Sequence, residues 1–340
     1  MKSLWKWGRL GLGLVLTFVF LWLTLRHIPM SGVFASLEHA RFWWVLLALF
    51  ALVIDYGVRA HRWWWLLRRC GSPVELRVCV WPLIASFAVN NVVPFRAGDA
   101  FRVMGFREEL RASGSWVLAT LLIERLLDLT VLLVFLSLGL WGLSDATRTS
   151  LYVRTAVFAS GISIAAWLIL VFYGQHVQNL VTRICQHKVV AKYDFASPLI
   201  EFSRELFFAL SIVRTPARFF VAIAMSAAVW IAEGAVFGAG AEAVLYDGRP
   251  WGPWFALATG SLSTLVPSSP GFVGTFDFFT VSGLSAYGAS APVATAAAFL
   301  IHGVLWFPLT AAGLIYLLRT NFTARWAQGV TRAAKPQERV

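Results

Sequence analysis

Three ionisable residues fall within five positions of an otherwise apolar run, Glu124, Arg125 and Asp128 in the stretch Trp116 to Leu143. On a helix Glu124 and Asp128 share a face at i,i+4, and Arg125 can pair with Asp128 at i,i+3. Charges inside an apolar span are costly unless paired or hydrated, so this cluster is either an interhelical clamp or part of a polar path. A second set, Asn90, Asn91, Arg96, Asp99 and Arg102, surrounds Pro94 and Gly98. Its guanidinium groups suit a phosphate, which Arg holds bidentately without losing its proton. A third set, Gly271, Gly274, Thr275 and Asp277, follows Pro267 and Pro270. Thr275 can cap a half-helix whose free N–H groups attract an anion, with Asp277 competing from the first turn. Glu233 and His302 stand singly inside other apolar runs. Acid–base work on a lipid phosphate by Asp99, Glu124 or Asp128 is the enzymatic alternative. No Ser/His/Asp set, His-Glu-x-x-His pattern or metal-ligand cluster accompanies these residues, so no catalytic residue, metal or cofactor is assigned.

The second and third sets answer one another. Val93, Pro94 and Gly98 have the same spacing as Val266, Pro267 and Gly271, at an offset of 173 residues (267 − 94 and 271 − 98). Paired breaks in apolar segments at matching positions of two halves point to a binding site at the midplane of a membrane transporter.

Composition places the chain in a membrane. Of 340 residues, 59% are hydrophobic and 14% charged, with 17 Trp and 27 Phe, far from the balance of a soluble domain. The net charge of +12 is spread between apolar segments and forms no single basic stripe, so it suits cytoplasmic loops and anionic lipid, with no nucleic-acid partner. Cys70, Cys79 and Cys185 have no Cys-x-x-Cys spacing and read as free thiols, and His187, two residues after Cys185, lacks further ligands nearby.

The elements expected are those of an all-α polytopic membrane protein with about six full transmembrane helices and two re-entrant hairpins in inverted-repeat halves. Apolar runs at Leu10 to Leu25, Phe42 to Val58, Trp116 to Leu143, Val153 to Tyr173, Phe219 to Val244 and Ala294 to Leu318 supply the spans. The first is read as a helix and not as a cleaved signal, because no small-residue cleavage pattern follows it. The runs from Val78 to Val93 and Trp254 to Val266 are too short to cross before their prolines, and predict hairpins over about 78–107 and 254–286. Trp63 to Trp65 look interfacial, which puts Arg59, Arg62, Arg68, Arg69 and Arg77 in a cytoplasmic loop. This divides the chain into an N-terminal membrane half (1–150), a fourth span with an interfacial linker (151–217), a C-terminal membrane half (218–320) and a basic tail (321–340). Both termini are expected in the cytoplasm.

At Asn91-Val-Val-Pro94 with Arg96, Gly98 and Arg102, at Glu124-Arg125 with Asp128, and at Pro267-x-x-Pro270-Gly271 with Gly274, the chain resembles the flippase-like membrane domain of lysyl-phosphatidylglycerol synthases. The resemblance covers about residues 10–318. It implies a bacterial inner-membrane protein that moves a phospholipid, polyprenyl phosphate or hopanoid-type lipid between leaflets. It does not extend to an aminoacyl-transferase domain, so synthase activity is not carried over, and Asp277 stands where the family pattern leads one to expect glutamate.

Together these features predict a lipid flippase or scramblase that is not an enzyme. A headgroup would contact Asn90, Asn91, Arg96, Asp99, Arg102, Gly271, Gly274, Thr275 and Asp277. Glu124, Arg125, Asp128, Glu233 and His302 would form an intramembrane charge network. The expected partners are a membrane lipid and a lipid-synthesising enzyme or glycosyltransferase. A non-transporting accessory role in lipid synthesis is the third alternative. Without a Walker motif, direct use of ATP is not expected.

Overall fold

The computed structural model describes residue 15 and residues 17–26, 28–93, 96–143, 151–186, 200, 203–204, 207–208, 210–265 and 269–320. Among these residues regular structure is helical, with no strand, and the protein is an all-α polytopic membrane protein. Its helices are α1 (Thr17–Leu25), α2 (Met30–Glu38), α3 (Phe42–Arg69), α4 (Leu76–Val92), α5 (Ala97–Gly105), α6 (Gly114–Trp141), α7 (Leu151–Gln186), α8 (Pro216–Ala243), α9 (Gly252–Ser263), α10 (Thr275–Ala286) and α11 (Ala291–Arg319). A single turn at Arg107–Leu110 joins α5 to α6.

Length separates the spanning helices from the short ones. α3 and α8 have 28 residues each and α11 has 29, or about 42 Å of helix against about 30 Å of hydrocarbon. These three and α7 are long and apolar enough to cross, while α1 and α2 meet at a bend of 86° and count as a fifth span only if taken together. α6 has the same 28 residues but carries Glu124, Arg125 and Asp128. In contrast α4 has 17 residues, α5 nine, and α9 and α10 twelve each, all short of a full crossing. Pro94 and Pro267, expected to break the two hairpins, lie outside the described residues, as do His187 and the tail 321–340.

Two helices run past the ends expected for their spans. α3 continues past Val58 to Arg69, so Arg59 and Arg62 are buried inside a helix and not in a cytoplasmic loop. The tryptophans were misleading: Trp63 is fully buried and donates to Thr120 Oγ1 at 3.1 Å instead of marking a headgroup layer. α7 likewise runs on to Gln186 and takes in the start of the expected linker, including Arg183. In α3 charged residues, and in α7 a merely more polar stretch after Tyr173, read as a helix end although nothing sterically stops the helix.

Local sequence fixes several helix starts. Ser113 accepts from Trp116 N–H at the head of α6, and Thr215 accepts from Arg218 N–H at the head of α8, where Pro216 occupies the first turn. Packing then pairs α3 with α8, through small residues such as Ala48, Ala51 and Ala239 that let the two helices approach closely. Around that central pair the arrangement repeats: α4 packs on α5 and on α11, while α9 packs on α10 and on α6. Large apolar side chains such as Phe42, Phe50, Phe220 and Phe307 face outwards, as a lipid-facing surface requires.

Candidate functional site: a polar cavity between the two short-helix pairs

The first break is held by one side chain. Asn90, in the last turn of α4, accepts from Gly98 N–H at 2.8 Å through Oδ1 and donates to Asp99 Oδ1 at 3.1 Å through Nδ2. Between them Arg96 takes a left-handed conformation (φ 52°) before α5. Gly98 sits so close to the preceding helix that a Cβ there would collide with the Ser86 carbonyl and the Asn90 amide. Asn91 donates to Thr310 Oγ1 at 2.9 Å, tying the same turn to α11.

The second break is organised by an acid and an imidazole. Gly271 (φ 68°) lies in the short 3-10 turn Pro270–Phe272, and Gly274 (φ 86°) opens α10. The cap is Asp277, whose Oδ2 accepts from Gly274 N–H at 2.9 Å; Thr275 does not cap, and its hydroxyl donates to the Phe272 carbonyl at 3.0 Å. His302 on α11 places Nδ1 2.8 Å from Asp277 Oδ1 and Nε2 2.9 Å from the Gly271 carbonyl.

Between these breaks, α3 and α8 contribute a buried ion-pair network that the sequence reading largely missed. Arg59 donates to both oxygens of Asp55 at 2.9 Å and pairs with Glu233, which also accepts from Ser261 at 3.3 Å. Arg62 donates to both oxygens of Asp128, and Trp230 Nε1 donates to the same carboxylate at 3.1 Å. Arg102 pairs with Glu124 at 3.0 Å and lies 3.7 Å from the centre of the Trp63 ring. Arg125 does not pair with Asp128 as expected; it reaches Asp99 at 3.1 Å. The preference is understandable, because Asp128 is already enclosed by Arg62 and Trp230 while Asp99 faces the more open side.

These contacts enclose a cavity of about 160 Å³ where the two short-helix pairs meet α3, α8 and α11. Of the expected headgroup contacts, Asn90, Asn91, Arg96 and Gly271 line it, together with Arg125, Glu233 and His302 from the expected charge network. Asp99, Arg102, Gly274, Thr275 and Asp277 do not line it, nor do Glu124 and Asp128. Arg102, assigned a phosphate role from sequence, is 1% exposed, pairs with Glu124 and stands behind the cavity wall. Pro270 lies in the turn beside Gly271, whereas Gly98 closes the first break from behind. Arg59, Tyr56, Trp230, Ser261, Thr264 and Trp306 complete the wall and were not foreseen. One signal for them was present: Asp55 stands four residues before Arg59 in an apolar run, a helix-compatible ion pair.

One cation in the wall differs from the others. Arg59, Arg62, Arg102 and Arg125 each have a carboxylate within 4 Å. Among the described residues Arg96 has none; its guanidinium donates to the Thr264 carbonyl and hydroxyl at 3.2 and 3.1 Å, across the gap between the two breaks. Trp306 Nε1 and Arg125 Nε, buried beside the same cavity, have no acceptor among the described residues. The wall therefore offers donors in excess of acceptors, which is the condition for holding an anion.

Comparison with known proteins agrees with a membrane role. Residues 10–313 match the family model for the lysylphosphatidylglycerol synthase TM region. No curated protein was found to match the chain. The matched stretch takes in both breaks and every cavity-lining residue, and the chain belongs to this family.

Proposed function

We propose that this member of the lysylphosphatidylglycerol synthase TM region family moves a phosphate-bearing lipid between the leaflets of the bacterial inner membrane, with the headgroup passing through the cavity and the tails remaining in lipid. The observation that carries this is Arg96, a cation in the cavity wall with no carboxylate partner among the described residues. A phosphate crossing hydrocarbon alone faces a desolvation penalty of many kcal/mol, and a guanidinium with free donors beside it offsets that cost. At about 160 Å³ the cavity has room for a phosphate and a few waters.

The alternating packing supports a mechanism. α3, α4, α5 and α6 correspond in order to α8, α9, α10 and α11, and the pairings of α4 with α11 and of α9 with α6 exchange under that correspondence. Such a pattern is what inverted halves give, and two short re-entrant pairs meeting at the midplane would open to opposite leaflets in turn. Arg96 bonded to Thr264 bridges the two tips and would be released as either side opens. A lipid-synthesising enzyme or glycosyltransferase in the same membrane would supply or consume the lipid.

The test is leaflet exchange of fluorescent phosphatidylglycerol, phosphatidylcholine and polyprenyl phosphate in liposomes holding the purified protein. Movement of the phosphate monoester or the anionic diester above protein-free vesicles supports the proposal. Equal leakage of all lipids with and without folded protein would overturn it.

A further inference from the structure

We propose that His302 and Asp277 together form a proton-binding site in the wall of the cavity, and that the proton bound there accompanies the anion the cavity holds. The second half of this statement rests on the lipid-transport reading; the first does not.

Counting donors leads to it. The Gly271 carbonyl 2.9 Å from His302 Nε2 can only accept, so Nε2 carries hydrogen. A neutral imidazole has no second N–H, yet Nδ1 lies 2.8 Å from Asp277 Oδ1. That contact needs one more proton, either on the ring as imidazolium beside a carboxylate or on Asp277 as a carboxylic acid beside neutral imidazole. Both forms hold the same number of protons and the pair is neutral. Without the proton two lone pairs face one another, or the ring turns its N–H to Asp277 and abandons Gly271. Asp277 cannot swing away cheaply, because it is 2% exposed and its Oδ2 is occupied by Gly274 N–H at the start of α10.

The surroundings give the site its consequence. The Phe276 ring lies 4.9 Å from the imidazole and adds no charge. The titratable and charged groups that share the cavity with His302 are Tyr56 and Arg59 of α3, Glu233 of α8, Arg96 before α5 and Arg125 of α6. α4 contributes the neutral amides of Asn90 and Asn91, and α2 contributes none of the described lining residues. Glu233 needs no proton for the bonds it makes, since Arg59 and Ser261 both donate to it. Loss of the proton from the His302–Asp277 pair to water leaves one net negative charge beside the cavity and unties Gly271, the tip residue that lines it. An anion in the cavity then meets repulsion. Anion binding therefore favours the protonated pair, and by reciprocity the anion binds more tightly when the pair is protonated. The sign is fixed: affinity is highest at low pH and falls as pH rises through the titration of the pair.

Asp277→Asn separates this site from ordinary packing. The amide can donate to His302 Nδ1 and accept from Gly274 N–H, so both hydrogen bonds survive with a neutral imidazole and no extra proton. The full chain in nanodiscs, with ring-nitrogen-labelled histidine, is examined by NMR from about pH 5 to about pH 8, with His302→Gln to assign the signal. At the acid end the wild type should show a second proton on the ring or shared with Asp277, and Asp277→Asn should show a protonated Nε2 with a bare Nδ1 throughout. A wild-type Nδ1 that shows neither a ring proton nor a hydrogen bond from the Asp277 carboxyl at any pH would overturn the proton site, and this spectrum decides the matter even if the variant folds poorly.

Short-chain phosphatidylglycerol is then titrated into both proteins. Wild-type affinity should fall by up to about tenfold per pH unit as the proton leaves, while Asp277→Asn stays flat. Equal pH dependence in the two proteins, or a flat wild type, would overturn the coupling. Absence of binding by both would overturn the lipid reading and the coupling with it, leaving the proton site to the spectra.

Discussion

Arg59 and Glu233 each stand 17 residues after the first residue of a 28-residue helix (59 − 42 and 233 − 216) and pair with each other. They lie 174 residues apart, as do Phe42 and Pro216 (216 − 42), which open the 28-residue helices α3 and α8. This offset is within one residue of the 173 that separates the paired breaks, and contact between such positions is what the proposed relation between the halves predicts near its axis. The cavity opens beside this pair, so the polar site sits where the two halves of the chain face one another.

The two partners should differ sharply when removed. Arg59→Ala strands the buried carboxylates of Asp55 and Glu233 and is expected to cost about 3–5 kcal/mol, seen as a lower unfolding midpoint in detergent. Glu233→Gln leaves Arg59 its partner Asp55, both of whose oxygens accept from Nε, and should lower the midpoint much less. Equal losses would mean that Asp55 does not neutralise Arg59.

Arg102 should behave as a structural residue. Arg102→Ala removes the partner of buried Glu124 and the cation stacked on Trp63, so folded yield and thermal midpoint should both drop, by about 3–5 kcal/mol in stability. A stable Arg102→Ala protein that fails only in lipid exchange would return this residue to the headgroup path.

Gly98→Ala should be far worse than Gly57→Ala. The new methyl at position 98 meets the Ser86 carbonyl, part of the backbone of α4, and the strain is expected to be about 1–3 kcal/mol or more. Nothing lies within 4 Å of a Cβ at position 57 inside α3, so alanine there should be neutral or stabilising by about 0.5–1 kcal/mol. The comparison of the two unfolding midpoints checks the close approach at the first break.

The proposed inversion of the two halves predicts the sidedness of the loops. The three native cysteines are buried, so engineered thiols can be read without removing them. In intact cells a membrane-impermeant maleimide should label Asp247→Cys, in the loop between α8 and α9, and spare Glu108→Cys, in the turn after α5. Labelling of both from outside would contradict a first hairpin that opens to the cytoplasm and a second that opens outside, the arrangement that inverted halves with cytoplasmic termini predict.

Much of the architecture was legible because its causes are local. The short apolar runs before the expected breaks become the short helices α4 and α9, and the longer runs show where α8 and α11 lie. The charge pairing was not legible. Arg125 could reach Asp128 along its own helix, but the choice of Asp99 depends on Arg62 arriving from a helix 66 positions earlier than Asp128. The same burial hid Arg59 and Arg62, since arginine just before a tryptophan cluster has the composition of a membrane boundary whether or not the helix continues. His302 was visible as an intramembrane imidazole, but its two acceptors come from a turn and a half-helix that only the fold brings to it.

Leaflet exchange of fluorescent phosphatidylglycerol by wild-type protein and Arg96→Ala, in matched liposomes and with folded content checked, tests the role of the cavity most directly. Exchange by the wild type should slow by about tenfold to about a hundredfold in the variant, the loss of a hydrogen-bonded charge worth about 1.5–3 kcal/mol, with little change in folded yield. Wild-type rates in Arg96→Ala would contradict a headgroup path past this residue.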